Sequence, residues 1–405
     1  MEKGYAKTGY ATAVAMTVAA IALWGFAHRL YSTLLPDLYV AFQLTPAETA
    51  MARPAIVAGY LLMALPAAFV SRNLGYKIGM LFGLGMFAIG MFLVFPAVQR
   101  HSFGFYLASA TLVGSGLATL EVTAIPLLVF LGRRQHAVQR TVMATSLSSL
   151  GGFAALYLGP IFLTRAASAP YATSNLVGLF STVGAVSIGL AFVMELTPYP
   201  AVARARVAWS DHTLASFGPP LRQKSFRLAM AACFLVLFAQ NITTGFAWPY
   251  SRSVMPSLTP NAAHQVLVWA FLALAMGRFF IPLAMRWISP MRLVVVFAIA
   301  SAVSAAVTAL ASGPTAVASI IVTSFFTAIL FPAIFANALR NMADMAKSGA
   351  AVLMFVAFSG TSVFSLLTPA SAILRPLMFL PPLAYAGAAG LAVIIRRAKH
   401  STPAN

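Results

Sequence analysis

Long apolar runs separated by short polar connections make up nearly the whole chain. A helix needs about 20 mostly apolar residues to cross a bilayer, and runs of this kind occur twelve times in the sequence. They cover residues 9–32, 48–71, 78–98, 103–130, 138–164, 173–195, 226–250, 264–286, 292–312, 314–339, 348–370 and 376–395. The pattern predicts an all-α integral membrane protein, and we number its twelve predicted transmembrane helices as spans one to twelve.

The longest polar stretch separates span six from span seven. It predicts an N-terminal six-helix bundle over residues 1–196, a cytoplasmic linker over 197–224 and a C-terminal six-helix bundle over 225–405. Segments of the two halves also align: "FAHRLYSTLLP" with "FAQNITTGFAWP", and "TLEVTAIPLLVFLGRR" with "TAILFPAIFANALRNM", which places Pro126 opposite Pro332. We therefore expect two six-helix pseudo-repeats.

The charge distribution indicates an orientation in the membrane. Only 8% of the residues are charged, which is too few to cover the surface of a soluble domain, and the mean hydropathy is +0.88. A net charge of +19 would suggest a nucleic-acid partner in a soluble protein. With the N-terminus in the cytoplasm, however, nineteen of the 26 Lys and Arg residues fall on the cytoplasmic side, as the positive-inside rule requires. We predict a multi-pass protein of the cell (inner) membrane with both termini cytoplasmic and no nucleic-acid partner.

Acidic residues are rare, and one of them has an unusual position. Of seven Asp and Glu residues, only Glu121 lies in the middle of a long apolar run. A carboxylate at that depth costs roughly 3 kcal/mol or more when it is ionised and unpaired. It can take up a proton when isolated and release it when water or a cation approaches. Such a switch suits proton coupling; the alternative is a buried ion pair that holds two helices together.

Span one contains candidate partners of Glu121 and candidate substrate-binding residues. Its aromatic and polar side chains follow helical spacing on one face, with an arginine about a quarter-turn away. They are Trp24, His28, Tyr31 and Ser32, with Arg29 beside them. Histidine titrates near neutrality, so His28 could share the proton-coupling role. The alternative is that His28 and Arg29 lie near the outer end of the span and extend to the lipid headgroups.

Spans five and seven contain further polar side chains within apolar runs. The candidates for substrate binding are Thr145 and Ser148 on span five, and Gln240, Asn241, Thr244 and Trp248 on span seven. Amides and hydroxyls one turn apart suit a polar solute in a central cavity, which we expect spans one, four, five, seven, ten and eleven to line. The alternatives are interhelical hydrogen bonds on span seven and plain packing on span five.

Four segments resemble a known family. They are "AGYLLMALPAAFVSRNLGYKIGMLFGLGMFAIGMFLVFPA", "GLATLEVTAIPLLVFLG", "MGRFF" and "FPAIFANALRNMADMAKSGA", from both halves and in the same order. The sequence resembles the fucose:proton symporter branch of the major facilitator superfamily. The resemblance implies two six-helix bundles and alternating-access, proton-coupled uptake of a hexose or deoxyhexose.

The sequence departs from that branch at the polar positions. The branch has an asparagine pair and an aspartate on helix one, where this chain has His28, Arg29 and Ser32. A glutamine and an asparagine on helix five are matched by Thr145 and Ser148. Two substrate classes therefore stay open. One is a neutral sugar-like solute; the other is an anionic metabolite, such as an organic acid or a carboxylate siderophore, attracted by the basic side chains.

Three basic residues are candidates for gating or structural roles. "SRNLGYKIG" occupies the loop of the superfamily's glycine-aspartate-arginine motif, and it keeps Arg72 and Lys77 without the acid. Arg278 belongs to the branch's Gly-Arg-Phe pattern.

Enzyme chemistry has no signature in the sequence. There is no HExxH, GxSxG or carboxylate dyad, so we expect a small-molecule substrate and protons as partners, without catalysis, cofactor or metal. A non-transporting membrane sensor or scaffold is a second alternative, since fold does not fix function. We expect the chain to function as a monomer.

Overall fold

Helices make up most of the described chain. The computed structural model describes residues 11–33, 45–131, 133–164, 169–204, 218–340, 342, 345–367 and 373–400, and has no strand within them. Eleven of the described helical spans are long and apolar enough to cross a membrane, and a shorter apolar helix, Ser348–Thr361, adds a twelfth candidate. The predicted fold class is confirmed.

The chain divides into two compact units. The first comprises Met1–Gly132 and Leu150–His212, and the second comprises Arg133–Ser149 and Thr213–Asn405. The border between residues 212 and 213 lies within the predicted linker, of which residues 205–217 lie outside the described residues. The division into bundles over residues 1–196 and 225–405 stays a prediction.

The first unit is built around one almost wholly buried helix. Its helices are α1 (Ala11–Thr33), α2 (Pro46–Leu74), α3 (Tyr76–Phe92), α4 (Val94–Gln99), α5 (Phe103–Phe130), α6 (Ala137–Thr164, whose first half belongs to the second unit), α7 (Ala169–Leu196) and α8 (Ala201–Arg204). Helix α5 packs against α1, α2, α3 and α4, and its side chains are buried over nearly its whole length. Because α5 is central, a polar side chain in its middle faces protein.

Small residues allow α2 and α5 to approach closely. A Cβ atom on Gly59 would lie 2.1 Å from the carbonyl oxygen of Thr111, and one on Gly114 would lie 2.2 Å from that of Ile56. The Ser115 hydroxyl also donates to the carbonyl of Gly59 (3.2 Å). This backbone-to-backbone contact, typical of membrane helices, fixes the residue after Gly59 against α5.

The second unit contains the remaining helices. They are α9 (Gly218–Arg222), α10 (Lys224–Gly245), α11 (Ala247–Val254), α12 (Pro260–Ala284), α13 (Pro290–Leu310), α14 (Gly313–Thr327), α15 (Leu330–Leu339), α16 (Ala346–Leu367), α17 (Leu374–Leu377) and α18 (Leu380–His400). Helix α10 packs against α15, α16 and α18, and α12 packs against α14.

Four of the predicted spans consist of two helices each, and proline explains every break. Proline has no N–H and its ring clashes with the carbonyl four residues earlier. The breaks fall at Leu93, Phe246, Ala328–Ile329 and Met378–Phe379, and the prolines are Pro96, Pro249, Pro332 and Pro381. In each case the carbonyl that loses its helical donor lies at the break or directly before it. Proline does not always break a helix, since α5 continues through Pro126 and α12 continues through Pro282.

Candidate functional site

Three aromatic side chains form a polar cluster between α1 and α2. Trp24 and His28 stack with ring centroids 5.5 Å apart, and the edge of the Tyr60 ring faces His28 at 6.1 Å. The Trp24 indole Nε1 donates to the Tyr60 hydroxyl (3.1 Å), and that hydroxyl lies 3.4 Å from Nδ1 of His28. Two residues predicted from span one thus meet on a tyrosine of the next span.

Glu121 lies in the middle of α5 and is only 5% exposed. Its nearest hydroxyl neighbours on the same helix bond to their own backbone, Thr119 to the carbonyl of Ser115 (2.8 Å) and Thr123 to that of Thr119 (2.6 Å). The carboxylate interacts electrostatically with Tyr60. The central acid and the α1–α2 cluster therefore influence each other electrostatically.

The other predicted residues of span one have different surroundings. Arg29 interacts electrostatically with His28 and Tyr60 and so belongs to the same cluster. Tyr31 is buried in an aromatic group with Tyr106 (6.5 Å) and Phe180 (5.6 Å), where it packs within the first unit. The side chain of Ser32 lies outside the described residues.

In the second unit, two adjacent amides on α10 differ in their hydrogen bonding. Asn241 Nδ2 donates to the carbonyl of Leu237 (2.7 Å) and to the hydroxyl of Thr361 (3.0 Å), which connects α10 to α16. Gln240 Oε1 is buried and accepts no hydrogen bond from any described residue. The Thr244 hydroxyl donates to the Gln240 backbone carbonyl (2.9 Å). An amide oxygen without a donor, buried beside an amide with both hydrogens in use, is open to a ligand donor.

The described contacts of Trp248 do not include these amides. It lies beyond the break at Phe246, on α11, and the residue is 41% exposed. The indole Nε1 donates to the carbonyl of Pro260 (3.3 Å), and the guanidinium of Arg252 lies 5.4 Å above the ring. These contacts are those of a side chain near the end of a span.

Arg278 connects three segments of the second unit. Its Nε donates to the carbonyl of Ala328 (2.9 Å), and its Nη1 donates to the Ser149 hydroxyl (2.9 Å) and the Thr145 carbonyl (3.4 Å). Ala328 is the residue whose carbonyl loses its helical donor because of Pro332, so the guanidinium replaces the missing N–H.

The hydroxyls predicted on span five bond to their own helix. Thr145 donates to the carbonyl of Val142 (2.9 Å) and Ser148 donates to that of Thr145 (2.9 Å). Both side chains are buried, and their contacts match the packing alternative more closely than ligand binding. The serine that meets Arg278 is the next residue, Ser149.

The two basic residues of the predicted cytoplasmic loop, Arg72 and Lys77, both belong to the first unit. Lys77 forms an ion pair with Glu195 (3.1 Å) and donates to the backbone carbonyl of the same residue (2.6 Å). Arg72 is buried near the end of α2. Between them, Gly75 has φ 95°, and a Cβ atom there would lie 2.8 Å from the carbonyl of Ala203 in α8. The loop that lacks the family's acid therefore has Glu195 as its carboxylate partner.

Sequence reasoning missed Tyr60, Thr361 and the pairing of Ser149 with Arg278. The small residue before Tyr60 was a usable signal, since Gly59 predicts a close helix approach and places the next side chain at the contact. For Ser149, the signal was Pro332, which predicts a carbonyl in need of a donor and hence a role for a nearby arginine. No sequence pattern pointed to Thr361, because its role depends on which helix faces Asn241.

Within the described residues, eleven membrane-length apolar helices and one shorter apolar helix, with buried polar groups in mid-helix, form the architecture of a polytopic membrane transporter. The chain belongs to the Major Facilitator Superfamily, whose family model matches residues 13–365. Membership confirms that the protein is a transporter and not an enzyme.

Relatives agree with the branch that the sequence resembles. The L-fucose-proton symporter of Escherichia coli (strain K12) is 23% identical over 93% of this chain and 91% of its own length. A glucose/galactose transporter of Brucella abortus is 25% identical over 84% of this chain and 83% of its own length. The crystal structure of the E. coli fucose:proton symporter matches the fold with a TM-score of 0.84 at 22% identity, covering 96% of this chain and 99% of that one.

Proposed function

We propose that this protein is a proton-coupled sugar symporter of the cell (inner) membrane that works by alternating access. The observation that supports this most is Glu121, a buried carboxylate in the middle of the central helix of the first unit. Relatives named as a fucose-proton symporter and as glucose/galactose transporters point to the same class. Glu121 takes up a proton in one state and releases it in the other.

Gln240 favours a neutral, hydroxyl-bearing substrate. Its buried amide oxygen needs a hydrogen-bond donor, and a sugar hydroxyl supplies one, whereas a carboxylate only accepts. We propose Gln240 as a substrate contact and Asn241 as the tie between α10 and α16. Leaving a buried acceptor unsatisfied disfavours any substrate that lacks the donor.

A second candidate is transport of an anionic metabolite, such as an organic acid or a carboxylate siderophore. Arg29 and His28 in the α1–α2 cluster favour it, since an arginine among buried groups attracts a negative charge. In that case the substrate, rather than a proton on Glu121, balances the basic side chains.

Arg278 is the proposed gating residue. Its bonds to α6 and to the break before α15 hold one arrangement of these helices. Movement of α6 against α12 requires the Ser149 bond to break, while the bond to Ala328 can remain.

Transport by purified protein in liposomes tests the function. The probes are radiolabelled L-fucose, D-glucose and D-galactose, with lactate and citrate as anions, each with and without an inward proton gradient. We expect accumulation of at least one sugar above its outside concentration when the outside is acidic. Accumulation of only an anion supports the second candidate, and no transport of any probe contradicts both candidates.

The variant Glu121→Gln separates coupling from binding. We expect it to lose gradient-driven accumulation while exchange of sugar between equal pools is partly retained, because exchange needs only the loaded carrier to reorient. Glu48→Gln, which neutralises an acid in the first turn of α2, is the matched control and keeps accumulation. Wild-type accumulation and pH dependence in Glu121→Gln would make the acid structural.

The proposed orientation has its own test. A His212→Cys substitution in a Cys233→Ser background, treated with a membrane-impermeant thiol reagent, is labelled only after the cells are opened if the linker is cytoplasmic. Cys233, the single native cysteine, is buried. Labelling from outside intact cells contradicts this topology.

A further inference from the structure

The short turn that joins α12 to α13 exposes a tryptophan. Trp287 is 81% exposed, more than any other large apolar residue in the described part of the chain. Hydrogen bonds to the end of α12 fix the backbone of this turn. The amide of Arg286 donates to the carbonyl of Leu283 (3.3 Å), and those of Trp287 and Ile288 donate to that of Ala284 (3.1 and 2.9 Å). The turn therefore holds the indole outside the packed helices.

Trp287 continues an apolar stripe of α12. Three large exposed side chains of that helix follow the spacing of one helix face; they are Met276, Phe280 and Leu283. Position 287 comes next at the same spacing. In a membrane-spanning helix, an exposed apolar stripe faces the lipid chains. A residue one turn beyond the end of the stripe then lies at the level of the lipid headgroups, where tryptophan is enriched.

Two arginines flank this tryptophan, Arg286 in the turn and Arg292 in the first turn of α13. Both are exposed, and neither forms an ion pair with another described residue. Residues 213–405 contain a single acid, Asp344, so this half of the chain has almost no carboxylates to offer them. The negative charge that balances the two arginines therefore comes from outside the chain.

The turn between α2 and α3, which has the matching position in the first half, differs in this respect. Lys77 forms an ion pair with Glu195 (3.1 Å) and lies 5.9 Å from the ring centre of Tyr199, and Arg72 is buried. That turn thus contacts an acid and an aromatic ring of its own unit. The α12–α13 turn presents its arginines and its indole outward, as a surface that binds a partner does.

We propose that the α12–α13 turn binds an anionic phospholipid of the leaflet that it faces. The guanidinium groups of Arg286 and Arg292 bind the phosphate, to which arginine can donate two hydrogen bonds at once. The indole of Trp287 packs on the glycerol and upper acyl-chain atoms of the same lipid. A free phosphate ion would leave Trp287 and Ile288 in water, so the apolar pair favours a lipid. The contact is independent of which substrate is carried.

Quenching of Trp287 fluorescence by brominated lipids tests this contact in phosphatidylcholine nanodiscs. Brominated phosphatidylglycerol and brominated phosphatidylcholine are titrated separately, and subtracting the signal of a Trp287→Phe variant isolates this residue among the five tryptophans. An arginine near the surface favours an anionic lipid by about 1 kcal/mol, or roughly fivefold. With two arginines, we expect half-maximal quenching at a mole fraction of phosphatidylglycerol that is lower by on the order of tenfold. Equal quenching by the two lipids would overturn the proposal.

Paired substitutions assign the preference to the two arginines. We expect Arg286→Gln with Arg292→Gln to remove the preference, and Arg286→Lys with Arg292→Lys to keep part of it, since the charge remains. Arg222→Gln with Lys224→Gln is the control, because it removes two exposed charges at the start of α10 and should keep the wild-type preference. A preference that survives the first pair, or an equal loss in both glutamine pairs, contradicts a site at this turn.

Inorganic phosphate separates the two possible sources of the anion. When phosphate replaces chloride at equal ionic strength, charge screening is unchanged, and we expect the preference for phosphatidylglycerol to remain. Its loss in phosphate would assign the arginines to a soluble anion and overturn the lipid contact. Since neither substrate nor a proton gradient is present in these measurements, their outcome is separate from that of the transport assays.

Discussion

The two repeats place different chemistry at matching helices. In the first unit, spans one and four are the continuous helices α1, which contains His28 and Arg29, and α5, which contains the buried Glu121. In the second half, the counterparts are broken, and residues 213–405 contain a single acid, Asp344. Under the proposed function, proton handling is thus confined to the first repeat, while the second has amides and hydroxyls. The pseudo-symmetry preserves the positions of the helices but not the functions that we propose for them.

A pair of matching prolines shows how the difference arises. Pro126 lies inside a continuous helix, whereas Pro332 follows a break at Ala328–Ile329. The carbonyl released by Pro332 has a partner in Arg278 (2.9 Å). Gly277 permits this approach, since a Cβ atom there would lie 2.7 Å from the carbonyl of Phe325. A proline thus predicts a released carbonyl, and the surrounding donors determine how that carbonyl is paired.

The largest expected effect is a test of the first unit's close helix contact. Gly114→Ala places a methyl group 2.2 Å from the carbonyl of Ile56, and relieving such an overlap costs about 3 kcal/mol or more. Gly85→Ala on α3, where nothing lies within 4 Å, is the matched control and gains helix propensity. We expect a lower thermal midpoint in detergent for the first variant and an unchanged or higher one for the second. Equal midpoints would mean that the α2–α5 contact is not tight.

The second prediction compares the two prolines. Arg278→Ala leaves a buried carbonyl without its donor, at a cost of about 1–3 kcal/mol. Adding Pro332→Ala restores an N–H for Ala328, so we expect the double variant to recover about 1 kcal/mol in unfolding measurements. Pro126→Ala combined with Arg278→Ala is the control from the other repeat and shows additive effects. If the effects of Arg278→Ala and Pro332→Ala are additive, as they are for the Pro126 control, then Arg278 is not coupled energetically to the helix break at Ala328–Ile329.

Different parts of the fold and the site could be predicted from the sequence with different success. The spans follow from apolar run length. A proline follows each of the four helix breaks, but proline alone does not predict them, because Pro126 and Pro282 lie inside continuous helices. Glu121 was found because an acid in an apolar run is costly. Tyr60 and Thr361 were not found, since their importance depends on helices that meet in space. Trp248 lies on a separate helix, α11, because the predicted span seven is broken at Phe246, and its role in substrate binding stays a prediction.

The third prediction separates the adjacent amides of α10. Asn241→Leu removes both bonds of the Nδ2 group, and we expect a loss of stability of about 1 kcal/mol. Gln240→Leu removes an oxygen that accepts no bond from the described residues, so stability changes little while the KM for the transported sugar rises about tenfold. The readouts are thermal midpoint and exchange kinetics. The reverse pattern would assign substrate contact to Asn241.

The smallest expected effect concerns the start of α2 and its counterpart α12. "LTPAE" gives Thr45 and Glu48 a reciprocal capping pair, whereas "LTPNA" gives Thr259 only its bond from the amide of Ala262. Hydrogen bonds from Thr45 lower the pKa of Glu48, so the cap's stabilisation is present above the usual glutamate pKa and is lost as pH falls through the lowered value.

Hydrogen exchange in nanodiscs checks this difference. Relative to unstructured peptides, we expect acidification to raise exchange at residues 45–48 and to leave residues 259–262 unchanged. Glu48→Gln should make the first segment insensitive to pH. An equal response in both segments would show that the acid is not the cause.

Proton movement during sugar transport tests the division between the repeats most directly. Liposomes loaded with a pH-sensitive dye report proton entry when the transported sugar is added outside, and radiolabelled sugar reports its entry in the same vesicles. We predict that Glu121→Gln exchanges sugar without moving protons, and that Gln240→Leu moves less of both at an unchanged ratio. Proton entry at the wild-type ratio in Glu121→Gln, or a changed ratio in Gln240→Leu, would contradict the account.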